Sequence, residues 1–198
     1  MKTLLRIDSS PRKTESLSRQ LADVLQQKLE NEGNYSTLSR DVYYDDLVKL
    51  GNEDSVTAYF TPDNQRTVIQ KEAVKASDVL SQEFANADAY IFAVPMYNFG
   101  VTAGLKAYID LIARAGTSFK YTEKGPEGLL KGKKAFVIIT TGGTKLGTEV
   151  DYVSGYLKTF LNFVGITDIE FINSDQVMTN AEKILSDAKE EINQLVLN

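Results

Sequence analysis

The chain has 198 residues, of which 42% are hydrophobic, and a formal net charge of −5. That length and apolar share suit one domain, residues 1–198, with a sizeable core, and the acidic balance argues against nucleic-acid or anionic-membrane partners. Cysteine and histidine are both absent; this excludes disulfides, thiolate nucleophiles, iron–sulfur clusters and Cys-based zinc sites, and removes the usual base of hydrolytic triads. No metal site is expected, so acid–base work falls to Tyr, Lys, Asp, Glu or water, or an organic cofactor carries the chemistry. Apolar runs such as Tyr90–Val94 are too short to span a bilayer, and Met1–Asp8 lacks the apolar region and cleavage site of a signal peptide. A soluble cytoplasmic protein is the expectation.

Thr3–Asp8 reads as a short apolar strand closed by Ser9-Ser10-Pro11. From Ser16 onward, Leu17, Leu21, Val24, Leu25 and Leu29 recur at helical spacing as far as Asn31-Glu32-Gly33-Asn34. Tyr35–Val42 is a second strand, and a connecting segment rich in Asp, Asn and Gly runs to about Asn64. Helical pattern resumes with Val68, Ile69, Val74, Val79, Leu80 and Phe84. Ala89–Val94 is a continuous apolar run, as expected of a central parallel strand covered on both faces. A helix with Leu105, Tyr108, Ile109 and Ile112 on one side follows and ends near Gly116. Residues 118–132 are irregular or hairpin-like, with Gly125-Pro126-Glu127-Gly128 as the turn. Ala135–Thr141 is another buried strand, Tyr152–Leu161 a helix stopping at Gly165, Ile169–Ile172 a last strand and Ile184–Val196 a closing helix. Five strands alternating with five helices imply an α/β doubly wound parallel sheet, whose ligands sit beyond the carboxyl ends of the strands.

Strands one, three and four each end in an unusual loop. The first, from Ser9 to Ser18, contains no glycine, so it is neither a Walker loop nor a dinucleotide fingerprint. It offers hydroxyls and leads into a helix N-terminus, where free N–H groups favour an anion; the plainer alternative is that Ser16 is only an N-cap. In the second, Pro95 keeps Val94 extended, and Met96, Tyr97 and Phe99 supply apolar contact beside the amides around Asn98. A flat heteroaromatic ring with polar edges would use both features, although packing under a helix or at a dimer contact would also account for the rings. The third, Thr140-Thr141-Gly142-Gly143-Thr144-Lys145-Leu146-Gly147, has paired glycines that permit close approach of backbone to a ligand, or a simple turn. Together the three loops match a phosphate-bearing planar cofactor such as flavin mononucleotide (FMN). A phosphoacceptor receiver is rejected, because strand three ends in Val94-Pro95 where an aspartate would be needed.

"PMYNF" at 95–99, "ARAGTSFKYTEKGPEGLLKGKKA" at 113–135 and "FLNFVGI" at 160–166 resemble the FMN-dependent NADH:quinone oxidoreductases, also called FMN-dependent NADH azoreductases, over nearly the whole chain. The resemblance implies a flavodoxin-like three-layer sandwich with a five-stranded parallel sheet of order 2-1-3-4-5 and helices on both faces. It implies tightly bound FMN with NADH as donor, and a homodimer with FMN near the interface. Ser10 and Ser16-Leu17-Ser18 would hold the phosphate. Pro95, Met96, Tyr97, Asn98 and Phe99 would line the ring and ribityl chain, and Thr140, Thr141, Gly142 and Gly143 the pyrimidine edge. Phe119, Lys120 and Tyr121 would border the substrate side. Hydride transfer belongs to the flavin, no catalytic side chain is certain, and Tyr121 is a candidate proton donor.

Relatives often read Ser-Arg-Gly-Gly where this chain has Thr140-Thr141-Gly142-Gly143, and several carry a histidine shortly afterwards; these departures bear on substrate range and nucleotide preference. The expected activity is ping-pong two-electron reduction of quinones and reductive cleavage of aromatic azo compounds. The alternative is a flavodoxin-like electron carrier or redox-sensing FMN protein with no substrate of its own, against which the 118–132 excursion is read as the wall of a pocket.

Overall fold

The structure is a computed structural model that describes residues 1–45 and 53–196. Its order is β1 (Lys2–Asp8), α1 (Leu17–Gly33), β2 (Tyr35–Asp41), α2 (Glu53–Phe60), α3 (Val68–Asn86), β3 (Ala89–Pro95), α4 (Ala103–Ile112), β4 (Phe119–Thr122), β5 (Gly125–Gly128), β6 (Lys134–Thr140), α5 (Ser154–Val164), β7 (Asp168–Ser174) and α6 (Ala181–Gln194). Five strands form one parallel sheet in the order β2-β1-β3-β6-β7. Counting only these five gives 2-1-3-4-5, as the resemblance implies. The chain moves outward from β1 to β2, then crosses back to β3, so the switch of direction lies between β1 and β3.

The period-two alternation of β3 feeds two cores. Tyr90, Phe92 and Val94 join Phe84, Tyr108, Leu157 and Leu161 on the α3–α4–α5 side. Ala89, Ile91 and Ala93 face Leu21, Leu25, Ile138 and Ile192 on the α1–α6 side. The small alanines let α1 approach the sheet closely, while the aromatic residues fill the wider layer opposite. Phe84 stacks at 4.5 Å from Tyr90 and 6.4 Å from Phe92 and Tyr108. Truncating it to alanine would cost about 3–5 kcal/mol, as for other fully buried aromatics.

Three features differ from the sequence reading. The segment read as a connection contains helix α2, which buries only Ser55 and Ala58 and so shows no apolar stripe; residues 46–52 of that connection lie outside the described residues. Helix α3 forms where expected, but its buried ridge is Val74, Ser77, Leu80, Ser81 and Phe84, while Val68, Ile69 and Val79 face outward. Ser77 fits inside because its hydroxyl donates to the Leu111 carbonyl at 2.5 Å.

The third concerns residues 113–133. Helix α4 ends at Ile112 rather than near Gly116. Gly125–Gly128 is not the turn of the hairpin but its second strand, antiparallel to Phe119–Thr122, so the turn is Glu123-Lys124. Pro126 is tolerated because a two-stranded ribbon leaves its missing N–H on an edge. Gly128 is required for another reason: a Cβ there would lie 2.2 Å from the Gly165 nitrogen. The hairpin is thus pressed, backbone to backbone, against the end of α5, where Gly165 sits at φ 101°. No helix among the described residues is long and apolar enough to cross a membrane.

Candidate active site

The parallel register aligns the carboxyl ends of β1, β3 and β6, with Asp8 opposite Ala93 and Pro95 opposite Thr140. The loops leaving these ends are tied to their neighbours at once. Ser9 donates to the Ala93 carbonyl through both its amide (3.1 Å) and its hydroxyl (2.8 Å). The Met96 amide donates to Thr140 at 2.8 Å, and the Thr141 amide to Ser174 at 3.3 Å. Between them opens a cleft of about 410 Å³, within the range of small-molecule sites. Of the predicted residues, Ser10, Ser16, Leu17, Pro95, Met96, Tyr97, Thr140, Thr141 and Gly142 line it.

One end of the cleft gathers hydroxyls and the first turn of α1. Ser16 caps α1, accepting from the Arg19 amide, and its hydroxyl lies 3.1 Å from that of Ser18. Among the described residues, the amides of Leu17 and Ser18 donate to nothing, as befits the first turn of a helix, and these free donors and the helix dipole favour negative charge. Ser10 is buried and its hydroxyl accepts from the Arg12 amide at 3.2 Å.

The middle of the cleft is bounded by a tight turn. Tyr97 and Gly100 exchange both backbone hydrogen bonds at 3.1 Å, with Asn98 (φ 49°) and Phe99 (φ 68°) as the two central residues. Two positive φ angles in a two-residue turn are the type I′ geometry, which suits asparagine first and glycine second. A phenylalanine in the second place is strained, and such strain persists where the surroundings use the conformation. It leaves the Asn98 and Phe99 amides without acceptors among the described residues and half exposes the Phe99 ring. Asn98 and Phe99 therefore stand on the rim rather than in the lining.

At the far edge, Thr140 keeps a hydroxyl with no hydrogen bond among the described residues. Thr141 does not: its buried Oγ1 donates to the Thr144 carbonyl and accepts from the Gln176 amide at 3.0 Å. Thr141 thus builds the loop: its hydroxyl is committed there, its amide to Ser174, and its carbonyl accepts from the Val177 amide at 3.0 Å. A Cβ on Gly142 would meet Met178 Sδ at 3.2 Å, whereas Gly143 is open on all sides and lies outside the lining. The sequence reading missed Arg12, Glu15, Val177 and Met178, which also line the cleft. Arg12 and Glu15 sat within the first loop and could have been included; the loop after β7 carried no comparable signal.

Phe119, Lys120 and Tyr121 are not brought to this cleft. Helix α4 returns the chain to the amino ends of the strands, where Lys133 Nζ caps the carbonyls of Ala85 and Ala87 just before β3. The hairpin is rooted there, at the opposite end of the sheet. Phe119 is buried against Phe163 at 4.5 Å, Lys120 pairs with Glu127 at 3.3 Å and Tyr121 is 70% exposed.

The chain and its fold are similar to known proteins. The family described by the flavodoxin-like fold matches residues 1–196. A Hahella chejuensis relative named FMN-dependent NADH:quinone oxidoreductase 1 is 47% identical over 191 residues, covering 96% of this chain and 92% of its own length. The chain belongs to the FMN-dependent NADH:quinone oxidoreductase family. A Burkholderia pseudomallei member is 43% identical over 197 residues, 97% of this chain and 98% of the relative. Among solved structures, azoreductase from Bacillus anthracis str. Sterne superposes with a TM-score of 0.88 at 27% identity, covering 97% of each chain. An FMN-dependent NADH-azoreductase from Bacillus anthracis str. Ames Ancestor, solved in complex with FMN, gives 0.87 at 26% identity, covering 98% of this chain and 97% of that one.

Proposed function

We propose that this member of the family binds FMN in the cleft described and uses NADH to reduce quinones and cleave aromatic azo bonds, as a cytoplasmic homodimer of one-domain chains. The observation that carries the reading is the set of backbone donors without acceptors among the described residues, those of Leu17, Ser18, Asn98, Phe99, Gly142 and Gly143, on three loops at the switch point of a doubly wound sheet. They fit a phosphate at one end and a polar-edged ring at the other.

In this reading Ser10, Ser16, Ser18 and the first amides of α1 hold the phosphate. Residues 95–99 flank the ring and chain, and Thr140, Gly142 and Gly143 meet the pyrimidine edge, where backbone donors stabilise developing negative charge. Bound FMN supplies two-electron hydride chemistry. The protein's part is to orient donor and acceptor in turn on one exposed face, which gives ping-pong kinetics.

The position of the hairpin supports the dimer. Phe119, Lys120 and Tyr121 are rooted away from their own cleft, so they border a cleft only if a second copy presents them. An open apolar groove lined by Val101, Tyr152 and Tyr156, beside the Tyr97–Gly100 turn, supplies a surface for that copy. The Tyr121 hydroxyl of the second copy is then the proposed proton donor to the acceptor. A cytoplasmic location accords with an intracellular nucleotide as donor.

The test is anaerobic addition of NADH to FMN-loaded protein. Prompt bleaching, reversed by menadione, is the expected result; a flavin that NADH leaves oxidised would favour an electron carrier instead.

A further inference from the structure

Beneath the first loop lies a cluster of charges that the reading above does not use. Arg6 and Arg19, from β1 and the first turn of α1, have side chains only 9% and 12% exposed. Arg6 grips Asp8 through Nε at 3.0 Å and reaches Asp23 at 2.6 Å and Gln26 at 2.9 Å. Arg19 contacts Asp41 at 2.8 Å and Asp8 at 3.3 Å through Nη1, while Nη2 donates to the Ser10 carbonyl at 2.6 Å. Its backbone amide is the donor that Ser16 caps. One residue therefore touches both halves of the anion cradle: its main chain joins the helix side, and its guanidinium holds the loop side.

Beyond Ser9, which is tied to Ala93, and the short Ser10–Arg12 turn, little fixes that loop from within. Arg12, Lys13, Thr14 and Glu15 are exposed. From outside, Tyr44 donates to the Pro11 carbonyl at 2.5 Å and carries Lys13 over its ring. A guanidinium suits the inner position because its planar fork can serve two carboxylates and a carbonyl together, which an ammonium ion on a flexible stem does less well. The charge balance matters as well. Arg6 and Arg19 face Asp8, Asp23 and Asp41, so removing Arg19 would leave Asp8 and Asp41 under-compensated beneath the place meant for a dianion.

We infer that Arg19 is the positioning residue of the phosphate end: it sets the spacing between Ser10 and the first turn of α1, and so confers selectivity for a phosphorylated flavin over the same ring system without phosphate. The inference rests on FMN as the ligand of this cleft. It makes Arg19 act through Ser10, Asp8 and Asp41 rather than on the ring.

The experiment measures binding of FMN and of riboflavin to flavin-free protein by fluorescence quenching, for the unaltered chain, Arg19→Met and Arg19→Lys, with thermal melting of each flavin-free protein alongside. Loss of a charge-assisted clamp predicts an FMN Kd raised about tenfold or more in Arg19→Met, with riboflavin changed less than about twofold, and partial recovery in Arg19→Lys. Should Arg19→Met not fold, Arg19→Lys decides alone, since it keeps the charge but loosens the fork; an FMN-specific weakening supports the inference. An FMN affinity unaltered in both variants, or riboflavin weakened in equal proportion, would overturn it. An unaltered chain that binds riboflavin but gains nothing from the phosphate would overturn it too, while binding of neither flavin would remove the functional reading itself and the inference with it.

Discussion

The β1–α1 loop and the β6–α5 loop line the same cleft, yet opposite chemistry holds them. The first is held by cations: Arg19 and Arg6 donate to carboxylates and a carbonyl brought together from β1, β2 and α1. The second is held by acceptors that collect backbone amides. Asp151 takes those of Gly147 (2.9 Å), Val153 and Ser154 (both 3.0 Å), Asp175 takes that of Leu146 at 2.7 Å, and Thr141 takes that of Gln176. The contrast suits the two ends of the proposed ligand. In that reading a phosphate meets a loop spaced by guanidinium–carboxylate pairs, and a ring edge meets a loop whose backbone is fixed by amide-collecting acceptors.

The largest expected effect of breaking this contrast is at Thr141. Thr141→Val keeps the shape but strands the half-buried Thr144 carbonyl and Gln176 amide, costing about 2 kcal/mol in denaturant unfolding. FMN affinity should fall only through disorder of the loop. Asp151→Ala comes next, because it removes the acceptor that serves the first turn of α5; about 1–2 kcal/mol is expected, as for other helix caps.

Acid separates the loops by sign. Burial pushes Asp151 up, but the amides of Gly147, Ser154 and Val153 outweigh it and hold the carboxyl below its ordinary 3.8. Its stabilisation is therefore complete above 3.8 and lost as pH falls through the lower folded value. Asp8 is the reverse: burial raises it above 3.8 despite Arg6 and Arg19, so its contribution is complete below 3.8 and declines as pH rises through the raised value. The stability difference between the unaltered protein and Asp151→Asn should shrink on acidification below pH 3.8, and no such loss should come from Asp8. The smallest effect belongs to the turn between the loops. Phe99→Gly relieves a left-handed phenylalanine and should stabilise by about 0.5–1 kcal/mol, read as a small rise in Tm.

How much of this was legible in the sequence depended on whether a residue's partners lay nearby in the chain. Ala89–Val94 announced a strand covered on both faces because every position in it is apolar. Ser16 announced a helix start, and Pro95–Gly100 a loop with an unusual burden of rings. Arg19 gave no such signal: a charge in the first turn of a helix reads as solvated, and Asp8, Asp41 and the Ser10 carbonyl converge on it only after the sheet assembles. Helix α2 was hidden because it buries two small residues and no stripe. Gly125 and Gly128 read as turn residues, since a sequence does not show that Gly128 will meet the backbone of Gly165.

The same limit applies to the substrate side. Phe119, Lys120 and Tyr121 could be singled out by wording and spacing, but their distance from their own cleft appears only in three dimensions. It is this distance that makes a second copy part of the proposed site.

The central claim is that FMN occupies the cleft between the β1, β3 and β6 loops. Hydrogen–deuterium exchange with and without FMN addresses it most directly. Slowed exchange at the amides of Leu17, Ser18, Asn98, Phe99, Gly142 and Gly143, with the core strands unchanged, is the predicted result. Tight FMN binding that leaves those amides as fast as before, and protects another face of the molecule, would contradict it.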